Sequence, residues 1–487
     1  MTSGPGGNAG SQRDAADLNR SMRLTLLSYL PRIAYPLMLI LVIRLYGAGP
    51  FGVFTVVLAI LSFIMRVCML GLDKGLLLWI PRQAPEGERT GLRAVLLFTA
   101  ALNAAAAVLV GTVLAPWIAR WAERPEAVTT LRWMAASLVP MSTMEVLIQA
   151  ANARRRIDGQ VLVKDGLVQL LFVGLALAFH FFADLGSPGL ALAHAISVVV
   201  GVLALTVLFR RLYPGTAWTG PRFLPPRELI ALARPLWFSE VLATAYNRFD
   251  VYMMAALSDP ATTGMFQAGM QVAQNILAVR SSFDYLVVVL VTESSGDRER
   301  TIHGFSYTLR LLATIVAPLT AGILAFAAWI LPLIGPSFTQ ALSSVWILAG
   351  FFALHAILGL NQNILIGAGR SAWVPLDTVL AMAVGGLAFV ILVPRLGLDG
   401  AALATGLMYA TLSTLFITQA PRAVGYWPYD RSLLPLLGLC AVAAAVMAGL
   451  WLGLAGLLGD AARVAGFVGF LAVFLAGLPR VRRQQPA

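Results

Sequence analysis

The residues of this chain that could do chemistry are charged side chains set inside apolar stretches. The densest group lies in Arg66–Arg82, R-V-C-M-L-G-L-D-K-G-L-L-L-W-I-P-R, with Arg66, Asp73 and Lys74. A reduced copy occurs at Arg280–Glu293, R-S-S-F-D-Y-L-V-V-V-L-V-T-E, with Arg280 and Asp284. Arg32 and Arg248 lie deep in other apolar runs, as do the acids Glu240, Asp250 and Asp377. Charge in such surroundings is costly, so these groups should face protein or water rather than lipid. A guanidinium fork suits phosphate oxygens. The structural alternative is a buried ion pair, Arg248 with Asp250 or Arg280 with Asp284 four residues on.

The elements that hold these residues follow from composition. The chain has 487 residues, 59% of them hydrophobic and only 12% charged, which excludes a soluble globular protein. Apolar runs of about 20 residues recur from end to end, each long enough to cross a hydrocarbon core of about 30 Å. None alternates as barrel strands do, so the spans should be helices. We count about fourteen, among them 51–80, 232–257, 263–291, 341–365 and 373–393. With the N-terminus inside, 22 arginines fall on inner segments and four (Arg120, Arg124, Arg395, Arg463) on outer ones, which puts both termini in the cytoplasm. The net charge of +12 therefore reads as topology and not as nucleic-acid binding. Two cysteines in apolar runs and four scattered histidines give neither a disulfide framework nor a metal site. No phosphate-binding G-x-x-x-x-G-K-[ST] loop and no Asp-x-Asp is present, so neither an enzyme nor a cofactor is expected.

Two halves of the sequence match at a nearly constant offset. Gly52-Val53-Phe54 aligns with Gly264-Met265-Phe266, Asp73 with Asp284, Asp165 with Asp377, and Gly189–Ala193 with Gly400–Ala404. An even number of helices between copies makes the repeats parallel. The expected fold is thus an all-α integral membrane protein of two parallel six-helix bundles related by a pseudo-two-fold axis, plus two C-terminal helices. Residues 1–22 would be a disordered cytoplasmic tail, 23–209 the first bundle, 210–231 a Pro-rich cytoplasmic linker and 232–420 the second bundle. Residues 421–487 would hold the two extra helices and a basic tail. Two such bundles around a cleft suit alternating access. Pro31, Pro36, Pro235 and Pro318 are expected kinks, and Gly449-x-x-x-Gly453 would let the thirteenth helix pack closely.

The segment R-L-Y-G-A-G-P-F-G-V-F (Arg44–Phe54), followed by L-G-L-D-K-G-L (Leu70–Leu76), resembles the polysaccharide transporter family. These are the O-antigen-type flippases of the MOP (multidrug, oligosaccharidyl-lipid, polysaccharide) exporter superfamily. The resemblance implies transport of polyprenyl-pyrophosphate-linked oligosaccharide to the outer leaflet of a bacterial cytoplasmic (inner) membrane, alongside polysaccharide-assembly proteins. It implies that Arg32, Arg66, Arg248 and Arg280 meet the head-group phosphate. It also implies coupling to H⁺ or Na⁺, for which Glu240, Asp250 and Asp377 are the acids. Asn361, Gln362 and Asn363 would line the path or bond between helices. On an unbroken helix from Phe51, Asp73 lies about 33 Å down the axis. It and Asp284 would then form polar clusters, with Lys74, at the cytoplasmic mouth. Other readings stay open: a peptidoglycan-precursor flippase or a drug/cation antiporter of the same superfamily, or a membrane polymerase or glycosyltransferase.

Overall fold

The computed structural model describes residues 38–122, 126–154, 156–212, 223–294, 297–430 and 433–483. Among these the chain is helical throughout and has no strand. Among the described residues, eleven segments are long and apolar enough to cross a membrane. One of them, Trp373–Val424, is two helices joined at Gly397, where φ is 55° and ψ −124°. Large apolar side chains such as Leu452 and Leu457 are about four-fifths exposed, which suits a helix facing lipid rather than water.

Contacts divide the chain into two compact units. The first runs to Tyr252 and takes in Asp259–Gly264. It contains α1 (38–46), α2 (Ala48–Cys68), α3 (Leu72–Trp79), α4 (Pro85–Leu109), α5 (Ala115–Ala122), α6 (Glu126–Ala136) and α7 (Leu138–Ala153). Next come a π-helical turn at Gly159–Val168, then α8 (Gln169–Ala183), α9 (Gly186–Leu212) and α10 (Arg227–Asn247). Here α4 packs on α7, α6 and α8 on α9, and α10 on α3 and α2. The helix expected to open the second bundle, α10, is therefore part of the first compact unit. The short helix α11 (Phe249–Leu257) and α12 (Pro260–Ala273) straddle the boundary.

The N-terminal turns of α2 and α12 cross at backbone distance. A Cβ on Gly52 would lie 1.8 Å from Pro260 O, and one on Gly264 would lie 2.1 Å from Ala48 O. Both contacts fall within the first unit. Gly52 and Gly264 are the residues the repeat aligns, and Ala48 and Pro260 stand at the same offset of 212.

The second unit holds Met253–Ser258 and the chain from Met265. Its further helices are α13 (Asn275–Glu293), α14 (Arg298–Ile334), α15 (Leu342–Leu358), α16 (Asn361–Gly367), α17 (Trp373–Val424), α18 (Leu433–Leu458) and α19 (Ala461–Arg483). Ala313, Ala321 and Ala325 on α14 leave room for Leu436, Ala443 and Met447 of α18 and Phe470 and Phe474 of α19. The α18–α19 pairing does not use the glycine spacing expected for it. Nothing lies within 4 Å of a Cβ built on Gly449 or Gly453. Close approach comes from α19 instead, where Cβ atoms on Gly466 and Gly469 would meet Met447 O at 2.7 Å and Leu450 Cδ1 at 2.3 Å. Pro235 and Pro318 are carried inside continuous helices. Pro31 and Pro36 lie outside the described residues.

Breaks fall elsewhere, and each interrupts an expected span. The run 51–80 breaks at Leu70–Gly71, 232–257 at Arg248, 263–291 at Gln274, and 341–365 at Gly359–Leu360. A depth count along a straight helix therefore fails beyond Met69, and the depth expected for Asp73 does not stand. A break inside a membrane frees carbonyls that other side chains must claim.

Candidate functional site

Charged residues gather at two of these breaks, one in each compact unit. In the first unit, Arg66 occupies the last turn of α2. Leu70 and Gly71 then take positive φ, 51° and 71°, and α3 starts in a new direction. Residues seven apart on an unbroken helix are about 10.5 Å apart along its axis. The break instead brings Asp73 to Arg66, with Oδ2 2.7 Å from Nη1. Asp73 is fully buried, and its Oδ1 has no partner among the described residues.

Helix α10 completes this cluster. Gly71 and Gly75 form a bare face against which it lies: a Cβ on Gly71 would be 2.6 Å from Ala233 O, and one on Gly75 2.9 Å from Leu229 Cδ1. This is small-residue packing of the kind that brings membrane helices close. One turn further on, the Trp237 indole donates to Val67 O at 3.1 Å, claiming a carbonyl at the broken end of α2. Glu240 then reaches both cations, Oε2 at 3.7 Å from Arg66 Nη1 and Oε1 at 3.8 Å from Lys74 Nζ. The quartet holds two positive and two negative groups. Lys74 and Glu240 are about one-third exposed and Arg66 less so, at 14%.

In the second unit, Arg280 on α13 is gripped at the α15–α16 break. Nη2 donates to Gly359 O at 3.2 Å and to Gln362 Oε1 at 3.3 Å, and Nη1 lies 3.1 Å from His355 Nε2. A guanidinium only donates, so Nε2 accepts. His355 is therefore neutral with its proton on Nδ1, which donates to Ser413 Oγ at 2.8 Å. Ser413 passes its own hydrogen to Tyr409 O. Asp284 lies 3.4 Å from Arg280 Nη2 and accepts from Asn363 Nδ2 at 2.7 Å. The Arg280–Asp284 pair expected from i, i+4 spacing is present, but three neutral acceptors share the guanidinium. Asn361 accepts from the Tyr429 hydroxyl at 2.7 Å. Gln362 and Asn363 thus bond across to α13, and Asn361 bonds the segment that joins α17 to α18.

The remaining site residues lie apart from these clusters. Asp377, near the start of α17, accepts from Gln419 Nε2 at 2.8 Å on the same merged element. Its Oδ2 and Gln419 Oε1 are buried without a donor among the described residues. Arg248 caps the end of α10 and is half-buried, and Asp250 is buried at the start of α11. Arg32 lies outside the described residues. Lys164 pairs with Glu145, nineteen residues back, rather than with its neighbour Asp165. Sequence spacing gave no sign of His355, Ser413 or Trp237, whose partners are 58 to 170 residues distant. Only the G-L-D-K-G spacing at Gly71–Gly75 carried a readable signal, for the approach of α10.

A multi-pass helical chain with broken spans and ionised clusters at the breaks defines a membrane transporter fold. The solved structure of "Lipid II flippase MurJ, inward closed conformation" has this fold, with a TM-score of 0.76 and 11% identity, over 95% of this chain and 99% of that one. An inward-facing multidrug resistance MATE family transporter of the MOP superfamily matches with a TM-score of 0.66 and 16% identity, over 81% and 98%. The chain belongs to the family described as "Polysaccharide biosynthesis protein", which matches residues 41–343. A curated relative, the "Probable low-salt glycan biosynthesis flippase Agl15" of Haloferax volcanii, is 24% identical over 292 residues. That match covers 58% of this chain and about 60% of the relative's length.

Proposed function

We propose that this protein is a flippase. Its cargo is a polyprenyl-pyrophosphate-linked oligosaccharide, carried from the cytoplasmic to the outer leaflet by alternating access for surface polysaccharide biosynthesis. The observation that carries this reading is the placement of guanidinium groups at helix breaks inside apolar segments, in a chain of a polysaccharide biosynthesis family. A diphosphate must leave water to cross, and desolvated cations offset that cost. The names of two similar proteins, a glycan biosynthesis flippase and a lipid II flippase, fit a sugar-bearing lipid as cargo.

On this reading Arg32, Arg66, Arg248 and Arg280 serve the head group, with Asp73, Lys74 and Asp284 beside them. Glu240, Asp250 and Asp377 serve a coupling H⁺ or Na⁺. At Asp377 two buried oxygens, Oδ2 and Gln419 Oε1, lack donors among the described residues, which suits a group that takes up a proton or a small cation. The home of the protein is the bacterial cytoplasmic (inner) membrane, with both termini inside and polysaccharide-assembly proteins as partners. The test is reconstitution in liposomes holding a fluorescent polyprenyl-pyrophosphate oligosaccharide, with an external glycosidase reporting arrival at the outer leaflet. Wild type should make the glycan accessible, and Arg66→Ala or Arg280→Ala should not. Equal access in empty and loaded liposomes would sink the reading.

A further inference from the structure

The Arg66 cluster contains two carboxylates held in different ways. Asp73 is fully buried and bonds Arg66 Nη1 at 2.7 Å, so it anchors one side of the guanidinium. Glu240 stands beyond hydrogen-bond distance from both its cations, at 3.7 and 3.8 Å, and is about one-third exposed. Among the described residues, Arg66 makes its one hydrogen bond through Nη1, which leaves Nε and Nη2 uncommitted. Arg66 ends α2 and Lys74 lies in α3, so two helices on either side of a break present cations to one carboxylate. Arg280 is the contrast. Its Nη1 and Nη2 engage three neutral acceptors, His355, Gly359 O and Gln362, and its carboxylate partner Asp284 is itself bonded by Asn363 Nδ2.

We propose that Arg66 and Lys74 form an anion subsite for a phosphate group, and that the Glu240 carboxylate is its resting occupant, displaced when the phosphate arrives. Asp73 holds Arg66 in place throughout. The exchange makes and breaks no covalent bond: phosphate oxygens replace carboxylate oxygens opposite the same two cations, and Glu240 turns to the solvent that already reaches it. A phosphate carries more oxygens and at least as much charge as the carboxylate it replaces, so it engages the uncommitted guanidinium donors that Glu240 does not reach. The inference rests on the flippase reading for its cargo, and it moves Glu240 from the coupling-ion group to the role of a built-in competitor, leaving Asp250 and Asp377 for the ion.

The test uses the full chain in detergent and titrates inorganic pyrophosphate by calorimetry at neutral pH. Glu240→Gln keeps the side chain's shape and removes the competing charge, so it should bind about tenfold more tightly than wild type. Arg66→Ala and Lys74→Ala should each weaken binding about tenfold or more, and Glu240→Gln with Arg66→Ala should lose the gain. Glu240→Ala should gain as Glu240→Gln does. Unchanged or weaker binding in both Glu240 variants overturns the inference, as does an absence of pyrophosphate binding in wild type and Glu240→Gln alike. Farnesyl pyrophosphate should displace the pyrophosphate, and phosphatidylglycerol should not; displacement by phosphatidylglycerol would overturn a diphosphate subsite in favour of a bilayer-lipid contact. Translocation that proceeds while the affinities stay flat sinks this inference alone. The expected affinities without translocation sink the flippase reading alone.

Discussion

Gly52→Ala is a sharp perturbation of the fold. The new methyl would lie 1.8 Å from Pro260 O, whereas ordinary contact begins near 3.4 Å, so α2 and α12 must part by about 1.6 Å there. The obstacle is backbone at the start of a helix and cannot rotate aside. Overpacking of this kind costs about 1–3 kcal/mol, which disfavours the closed crossing by about 5- to 150-fold at 1.36 kcal/mol per decade. Gly264→Ala meets the reciprocal obstacle at 2.1 Å and should cost about as much. Once one methyl has parted the helices the second finds room, so the double variant should cost clearly less than the sum. Thr263 is fully buried beside the crossing and reports on it. In a background lacking Cys68 and Cys440, Thr263→Cys should react slowly with maleimide. It should react faster with either alanine present, and little faster with both. Wild-type rates and wild-type thermal stability in both single variants would refute the steric reasoning. Strict additivity would refute the claim that the two glycines share one contact.

His355→Leu leaves a guanidinium donor without its acceptor, a loss of about 1.5–3 kcal/mol for a bond to a charged group. It should cut translocation about tenfold or more, while His355→Gln, which offers an acceptor again, should recover most of it; equal activity in both would argue against a role in positioning Arg280. Asp377→Asn should remove the dependence of translocation on the ion gradient, and persistence of that dependence would move the coupling group elsewhere. Asp259 caps α12 outside the spans. Burial alone would push its carboxyl up, but the Thr262 hydroxyl and the Thr262 and Ala261 N–H groups outweigh burial and hold it below the usual range. A depressed carboxyl contributes stability above its unfolded pKa of about 3.9 and loses it as pH falls through the lower folded value. Asp259→Ala should therefore cost about 1 kcal/mol at neutral pH. Its melting temperature should converge on wild type only in the acid range, and a gap that persists there would rule out the carboxylate as its source.

The class of fold was legible because a lipid environment leaves the backbone few choices, and apolar length alone reports it. The Gly52–Gly264 alignment was also legible, since the same register in both repeats turned out to be a contact. The breaks were less so. Pro235 and Pro318 drew attention as expected kinks and lie inside the continuous helices α10 and α14, while Leu70–Gly71 and Gly359–Leu360 interrupt helices without a proline. Charge roles were the least legible. Arg66 and Glu240 suggested an anion site and a cation site when read singly, and they lie 3.7 Å apart. A residue's type carries its chemistry, but its partner, 174 positions away in sequence (240 − 66), is chosen by the packing of Gly71 and Gly75 against α10.

The bond from Trp237 to Val67 O has a consequence for synthesis. The two residues are 170 apart, and Tyr252, which donates to Ala59 O, comes 193 residues after its acceptor. As the chain emerges, α2 reaches the bilayer before the Trp237 and Tyr252 donors are made, and Arg66 has only Asp73 as its anion. The first unit stays chemically unfinished until α10, the start of α11 and Asp259–Gly264 are made. A ribosome stalled after α9 would thus hold an intermediate with two cations, Arg66 and Lys74, and one carboxylate, Asp73, at its break. That is a natural point for membrane insertion factors or quality-control proteases to act.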